Sequence, residues 1–425
     1  MQYIRRSITE IVLSRMRDEQ IIVITGPRQA GKTTLCEYLL PEYLHLPFTY
    51  ISFDDPDERL RFQRAGIAVL ESMDTPLVIL DEVQKVPSLF DPLKFIVDRR
   101  KSASTLHKIT YLLTGSSQLL LLKNIRETLA GRVALINLYP FSLAEVMKGE
   151  GSPLLTTIWK SKKVTKEAVL RFNALSPATL REMVRLADEH KAWGGYPPVW
   201  QRKENAAKIN WLKDYRRTYV ERDISDVGQV ANIDTFVLAQ KLLCARTGQI
   251  LSMSEVARDL ALSVNTVKRY VHLLKATFQC YLLQPYFQNI GKRLIKSPKI
   301  YFPDAGLNRV ILGERPVDLG PLYESWVFSE LLKWKQLQAT EPEIFFYRTG
   351  GGMEIDYLLS GDGIFLPIEA KSSEKVTYAE GHHLEAFLLE YGKQAPLGIV
   401  IYPGRELLQI RKNVWAIPDW FLLGS

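Results

Sequence analysis

The residues best suited to chemistry lie near the N-terminus, where Gly26-Pro27-Arg28-Gln29-Ala30-Gly31-Lys32-Thr33 matches G-x-x-x-x-G-K-S/T at every fixed position. Glycine at each end frees the backbone to curl, so that its N–H groups point inward at an anion. Lys32 would reach the β- and γ-phosphates of a nucleotide, and the Thr33 hydroxyl would ligate Mg2+. Thr34 follows in the first turn of a helix, whose N-terminal partial charge favours phosphate. Together these residues predict a nucleoside triphosphate site.

A second group lies downstream. Leu77-Val78-Ile79-Leu80 runs into Asp81-Glu82, four apolar residues delivering two acids. Asp81 is placed to hold the metal ion, directly or through water, and Glu82 to orient and activate an attacking water. Thr114-Gly115-Ser116-Ser117 ends another apolar run, where hydroxyls could sense the γ-phosphate or cap a helix. Arg132 is a candidate for a positive charge at the transferred phosphoryl, from its own subunit or a neighbour; a surface ion pair is the alternative. A third group lies in the last quarter: Glu324, Asp356 and Glu369-Ala370-Lys371. Asp356 and Glu369 on adjacent strands could converge on one or two Mg2+ ions, with Glu324 completing the metal site. Lys371, two residues beyond Glu369, shares its sheet face and could lower the pKa of a bound water or stabilise developing charge.

The elements that must position these groups follow from hydrophobic periodicity. Ile21–Ile24, Phe48–Phe53, Leu77–Leu80, Ile109–Leu113 and Val133–Leu138 read as buried strands, with a helix from about Thr33 to Leu40 stopped by Pro41. Strands alternating with helices predict a parallel, doubly wound α/β sheet with the nucleotide at the C-terminal strand ends. From 148 to 249 the pattern is helical and mixed in charge, with a sharp turn at Gly194-Gly195 before Pro197-Pro198. Arg222 and Asp223 there could relay nucleotide state, although a structural ion pair is the plainer reading.

Ser252 and Glu255 form a capping-box pattern, and Ala261-Leu262-Ser263 turns the chain into a second helix near Val264. This helix–turn–helix would turn Asn265, Thr266, Lys268, Arg269 and His272 to solvent, as a major-groove reader requires, with Tyr281-Leu282-Leu283 suited to a wing. Between Ile250 and Ile300, eight basic residues face two acids. Contact with DNA phosphates is expected ahead of base reading, against the alternative of a packing and signalling module. Beyond, Ile344–Arg348, Met353–Leu359, Gly363–Ile368 and Gly398–Tyr402 read as strands, with a helix over about Ala379–Tyr391.

The chain has 425 residues, 46% hydrophobic, with a formal net charge of +8. That length allows several cores, and the charge permits a polyanionic partner without requiring one. Cys36, Cys244 and Cys280 lack metal or redox spacing and suit a reducing, cytoplasmic setting. No apolar run approaches the roughly 20 residues that span a bilayer, so no membrane partner is expected.

GPRQAGKTTL, VILDEVQK, LLTGSSQ and LAGRVALINLYPFSLAEV, followed by Gly194-Gly195-Tyr196-Pro197 and Tyr219–Ile224, resemble the AAA-type P-loop ATPases that carry the domain of unknown function 4143. That resemblance implies ATP and Mg2+ as cofactors. Asp356, Glu369 and Lys371 in their strand context resemble the PD-(D/E)xK nuclease core, although Ile355 stands where that motif has proline. The expected organisation is an ATPase core over 1–150, a helical connector over 151–250, a winged helix–turn–helix over 251–315 and a nuclease-like α/β domain over 316–425. Two functions remain open: an ATP-regulated, DNA-binding enzyme that cuts with Mg2+, or a regulatory ATPase switch that binds nucleic acid or protein without cleavage. A homo-oligomer is compatible with Arg132 acting across an interface.

Overall fold

The computed structural model describes residues 3–102, 109–115, 125, 127–148, 153–226, 230, 232–287, 296–313 and 319–424, without the side chains of residues 39, 101–102 and 219–226. The chain divides into two compact units: residues 1–140 with 276–278, and residues 141–275 with 279–425.

In the first unit, strands β1 (Ile21–Thr25), β2 (Phe48–Ser52), β3 (Leu77–Asp81), β4 (Thr110–Gly115) and β5 (Val133–Asn137) form one sheet in the order β2-β3-β4-β1-β5. Every neighbouring pair is parallel. Strands β1, β3 and β4 are buried throughout, as their unbroken apolar runs require of a sheet covered on both faces. The expectation that Pro41 ends the first helix is corrected. Helix Lys32–Thr34 passes into a π-helical turn, Leu35–Leu39, and resumes over Leu40–Leu44 with Pro41 inside it. Proline normally clashes with the carbonyl four residues back, and the wider π turn just before it makes room.

In the second unit, helices between Leu154 and Ala245 lead to helices Met253–Asp259 and Val264–Ala276, then to the antiparallel pair β6 (Tyr281–Leu283) and β7 (Lys299–Tyr301). Ser252 Oγ accepts from the Glu255 N–H, but the Glu255 carboxylate pairs with Arg246 at 3.7 Å, so the caps are not reciprocal. Ala261 takes the left-handed conformation (φ 52°) that the tight turn needs, and Ser263 Oγ caps the second helix by accepting from the Thr266 N–H.

A mixed sheet follows in the order β12-β13-β11-β10-β9-β8, from β8 (Glu343–Arg348), β9 (Glu354–Gly361), β10 (Ile364–Ala370), β11 (Gly398–Tyr402), β12 (Leu408–Arg411) and β13 (Val414–Pro418). Helix Leu319–Lys335 precedes it, and helix His382–Tyr391 crosses from β10 to the parallel β11. Strands β12 and β13 were not expected. Connector, hairpin and sheet share one buried cluster that includes Leu155, Trp159, Ala187, Tyr301, Trp326, Tyr357, Ile368 and Phe421, while a second cluster of the sheet and helix His382–Tyr391 includes Phe345, Leu358, Leu384 and Val400. The three C-terminal segments therefore pack as a single unit.

Candidate functional site

The phosphate loop leaves β1 at the C-terminal edge of the parallel sheet. Gly26 has φ 150°, and a Cβ there would lie 2.1 Å from the Leu138 carbonyl oxygen, so both conformation and space demand glycine. Gln29 (φ 61°) and Gly31 (φ 94°) complete the curl. The buried Lys32 Nζ lies across the loop, donating to the carbonyls of Gly26 at 3.0 Å and Pro27 at 2.9 Å. Burial lowers its pKa to about 8, against the opposing charges of Glu82 and Asp81. A bound phosphate would supply the counter-charge that these carbonyls only approximate.

Asp81 gathers this site. Its Oδ2 accepts from Thr33 Oγ1 at 3.1 Å and Tyr50 OH at 2.9 Å. Its Oδ1 accepts from the Thr114 hydroxyl and, at 3.1 Å, from the Glu82 N–H. Adjacent hydroxyl and carboxylate oxygens are the hard donors that Mg2+ prefers, so Thr33 and Asp81 fit the expected ion. Glu82 sits in the left-handed region (φ 57°), and its carboxylate accepts from Gln84 Nε2. Arg6 fastens the loop from outside, donating to the carbonyls of Ala30 at 2.8 Å and Tyr139 at 2.5 Å. Pro27, Arg28 and Thr34 lie on the loop and its first helical turn as expected.

Arg132 lies elsewhere. It precedes β5, whose first residue pairs with Ile21, whereas the loop begins after Thr25. One strand length, roughly 13 Å, therefore separates it from the loop. Its guanidinium pairs with Asp98 at 2.7 Å. Within its own chain Arg132 cannot touch the transferred phosphoryl; only action on a neighbouring copy remains. Ser116 and Ser117, and the side chains of Arg222 and Asp223, lie outside the described residues.

The second unit brings the C-terminal acids together differently from the expectation. Asp356 on β9 and Glu369 on β10 are neighbours, with Asp356 Oδ2 accepting from the Ala370 N–H at 2.9 Å. Lys371 Nζ donates to Glu369 Oε1 at 2.8 Å, and Glu369 Oε2 is buried without a hydrogen-bond partner. Glu324, however, is held by Lys299 of β7 at 3.2 Å and by the Tyr301 hydroxyl. The same ammonium reaches Glu354 at 2.9 Å and Asp356 at 3.8 Å.

Burial raises the Glu369 carboxyl to about 8 and Glu324 to about 7, in each case reinforced by Asp356 and opposed by a lysine. Burial would lower Lys299, but Glu324, Asp356 and Glu354 override it and its pKa is raised. The expected metal set of Glu324, Asp356 and Glu369 is thus interrupted by an ammonium. Among the described residues no group of three or more His, Cys, Asp or Glu could hold a metal ion. The residues present do not fit Mg2+ here, and the expected metal role of these acids is corrected accordingly.

On helix Val264–Ala276, Asn265, Lys268, Arg269 and His272 are exposed and Thr266 half-buried, the arrangement read from the sequence. Lys292 and Arg293 of the basic stretch lie outside the described residues. Sequence reasoning missed Tyr50, Arg6 and Glu354, and counted Lys299 only among the eight basic residues between Ile250 and Ile300, where the structure buries it against carboxylates.

Residues 18–147 match the family model of an AAA domain, residues 184–318 that of a domain of unknown function, DUF8612, and residues 319–422 that of another, DUF4143. The chain is 28% identical over 405 residues to the uncharacterized protein Rv2008c of Mycobacterium tuberculosis, covering 94% of this chain and 80% of that one. It is 24% identical over 351 residues to the uncharacterized protein MJ1544 of Methanocaldococcus jannaschii, covering 81% and 73%. Among solved structures, the Thermotoga maritima RuvB Holliday junction branch migration motor overlaps at 16% identity, over 65% of this chain and 89% of that one, with TM-score 0.27. The Aeropyrum pernix ORC1 protein in complex with DNA overlaps at 12% identity, over 73% and 91%, with TM-score 0.28. Overlap at those TM-scores carries no weight for function. The AAA match does, and it supports ATP binding and hydrolysis. No described helix is long and apolar enough to cross a membrane. Two stretches of this chain are thus similar to known domains, residues 18–147 to the AAA domain and residues 319–422 to DUF4143.

Proposed function

We propose that this protein is an ATP-hydrolysing switch whose helix–turn–helix contacts nucleic-acid phosphates without cutting them. The observation that carries the first half is the Asp81 cluster. Thr33 from the loop, Tyr50 from β2 and Thr114 from β4 all bond one carboxylate beside the loop-bound Lys32. On ATP binding Lys32 would exchange the Gly26 and Pro27 carbonyls for β- and γ-phosphate oxygens. Thr33 and Asp81 would hold Mg2+, which supplies charge neutralisation between those phosphates. Glu82 would take the proton of the water attacking the γ-phosphorus as the bond to the β-phosphate oxygen breaks, giving ADP and phosphate.

ATP turnover by purified protein tests this. Lys32→Ala should abolish nucleotide binding, and Glu82→Gln should bind ATP but turn it over at least about 100-fold more slowly. Wild-type protein no faster than Lys32→Ala, or Glu82→Gln at the wild-type rate, would overturn the assignment.

The exposed Lys268, Arg269 and His272 on one helix face support nucleic-acid contact. Binding should weaken steeply with salt; salt-insensitive binding would point to a protein partner instead. The competing reading is a nuclease, favoured by the Asp356–Glu369–Lys371 arrangement and the unpartnered Glu369 Oε2. Plasmid cleavage that disappears in Glu369→Ala and Lys371→Ala would establish that reading and refute the non-cutting switch. A homo-oligomer, with Arg132 serving a neighbour, is open to mass measurement with and without ATP.

A further inference from the structure

We infer that Lys299 is the built-in cation of the C-terminal carboxylate cluster, and that it closes this site to divalent metal until it is withdrawn. The inference is independent of what ATP does in the first unit. Four carboxylates from three elements surround the place where a metal ion would be sought: Glu324 on helix Leu319–Lys335, Glu354 and Asp356 on β9, and Glu369 on β10. Lys299 comes from outside that set. Period-two alternation along β7 puts Lys299 and Tyr301 on one face, and both side chains reach Glu324 Oε1.

The ammonium then satisfies three acids together, at 3.2 Å from Glu324, 2.9 Å from Glu354 and 3.8 Å from Asp356. Its side chain is only 5% exposed, and the Phe346 ring lies 5.6 Å from the nitrogen. A buried ammonium with three carboxylate partners is a committed structural charge, unlike a solvated surface lysine.

A divalent ion bound by the same oxygens would sit within a few ångströms of this ammonium, with little water to screen the repulsion. Glu324 Oε1 already accepts from two donors. Glu369 Oε2 is buried and without a partner. It is the acceptor an incoming ion would use once the lysine moved aside. Lys299 belongs to the hairpin that follows the helix–turn–helix, so displacing that strand is the movement that would vacate the site.

Mn2+ binding to the nucleotide-free, full-length protein tests this, with free Mn2+ followed by electron paramagnetic resonance. Wild-type protein should show no Mn2+ site that Asp356→Asn removes; that comparison also subtracts any ion at Thr33 and Asp81. Lys299→Met, which keeps the stem and deletes the charge, should gain a site about tenfold tighter or more, absent from the Lys299→Met, Asp356→Asn double variant. Lys299→Gln serves if the methionine variant does not fold by circular dichroism. A wild-type Mn2+ site lost in Asp356→Asn would overturn the inference whatever the variants do. So would a folded Lys299 variant that gains no Mn2+.

Discussion

Asp81 and Glu369 show how much a single carboxylate's surroundings decide. Asp81 receives four hydrogen bonds from four directions, so its position is set before any nucleotide arrives. Thr114→Val deletes one of these bonds without changing the shape of β4, and we expect it to lower turnover about tenfold with little loss of nucleotide affinity; steady-state kcat against ATP Kd separates the two. Glu369 is buried with one oxygen unpartnered, and its carboxyl, raised from the ordinary 4.5 to about 8, favours the protonated form in the folded state. Glu324, raised to about 7, acts in the same sense. Their stabilisation is fully present below about 4.5 and is lost progressively as pH rises from there through 7 to 8.

His190 acts in the opposite sense. It accepts from Trp326 Nε1 at Nδ1 and donates from Nε2 to the Phe141 carbonyl, and burial lowers its pKa to about 4. Its contribution is present above about 6.5 and is lost as pH falls toward 4. The two effects oppose each other below 6.5, leaving the carboxyls alone above it. Thermal melts should therefore show stability falling between pH 6.5 and 8, and Glu369→Gln should remove most of that slope.

Among the elements, the phosphate loop has the least tolerance. Gly26→Ala would drive a methyl group into the Leu138 carbonyl at a backbone angle that alanine avoids. We expect a loss of about 2 kcal/mol or more in stability together with loss of nucleotide binding, read by denaturant melts and a fluorescent ATP analogue. The second helix of the helix–turn–helix is tolerant on its outer face. Lys268 and Arg269 are exposed there, while Val267, Tyr270 and Val271 are buried beneath. Replacing Lys268 and Arg269 together with alanine should leave the melting temperature unchanged. It should reduce the salt slope of DNA binding by about two, one for each phosphate that is no longer neutralised.

At the scale of the molecule, the boundary that governs folding is the one near residue 140. Residues 319–425 contain the mixed sheet, but the core beneath it includes Leu143, Leu155, Ile158, Trp159 and Ala187 from the preceding helices. Expressed alone, 319–425 would expose the apolar face these residues cover, and we expect it to aggregate or bind a hydrophobic dye. Residues 141–425 keep that core and should melt cooperatively; calorimetry of both fragments distinguishes the outcomes.

Local order alone determined a good part of this protein. The phosphate loop, the strand carrying Asp81 and Glu82, the turn between the paired helices and the Glu369-x-Lys371 spacing are written in contiguous residues, where chain geometry sets which groups share a face. What only the tertiary structure decided joins residues far apart in the chain. Tyr50 and Thr114 meet Asp81 across neighbouring strands, and Arg132 falls at the far edge of the sheet because β5 is parallel to β1. Lys299 reaches acids that follow it by 25 to 57 positions. No periodicity announces a buried ammonium, because its burial is favourable only when the carboxylates around it are already assembled.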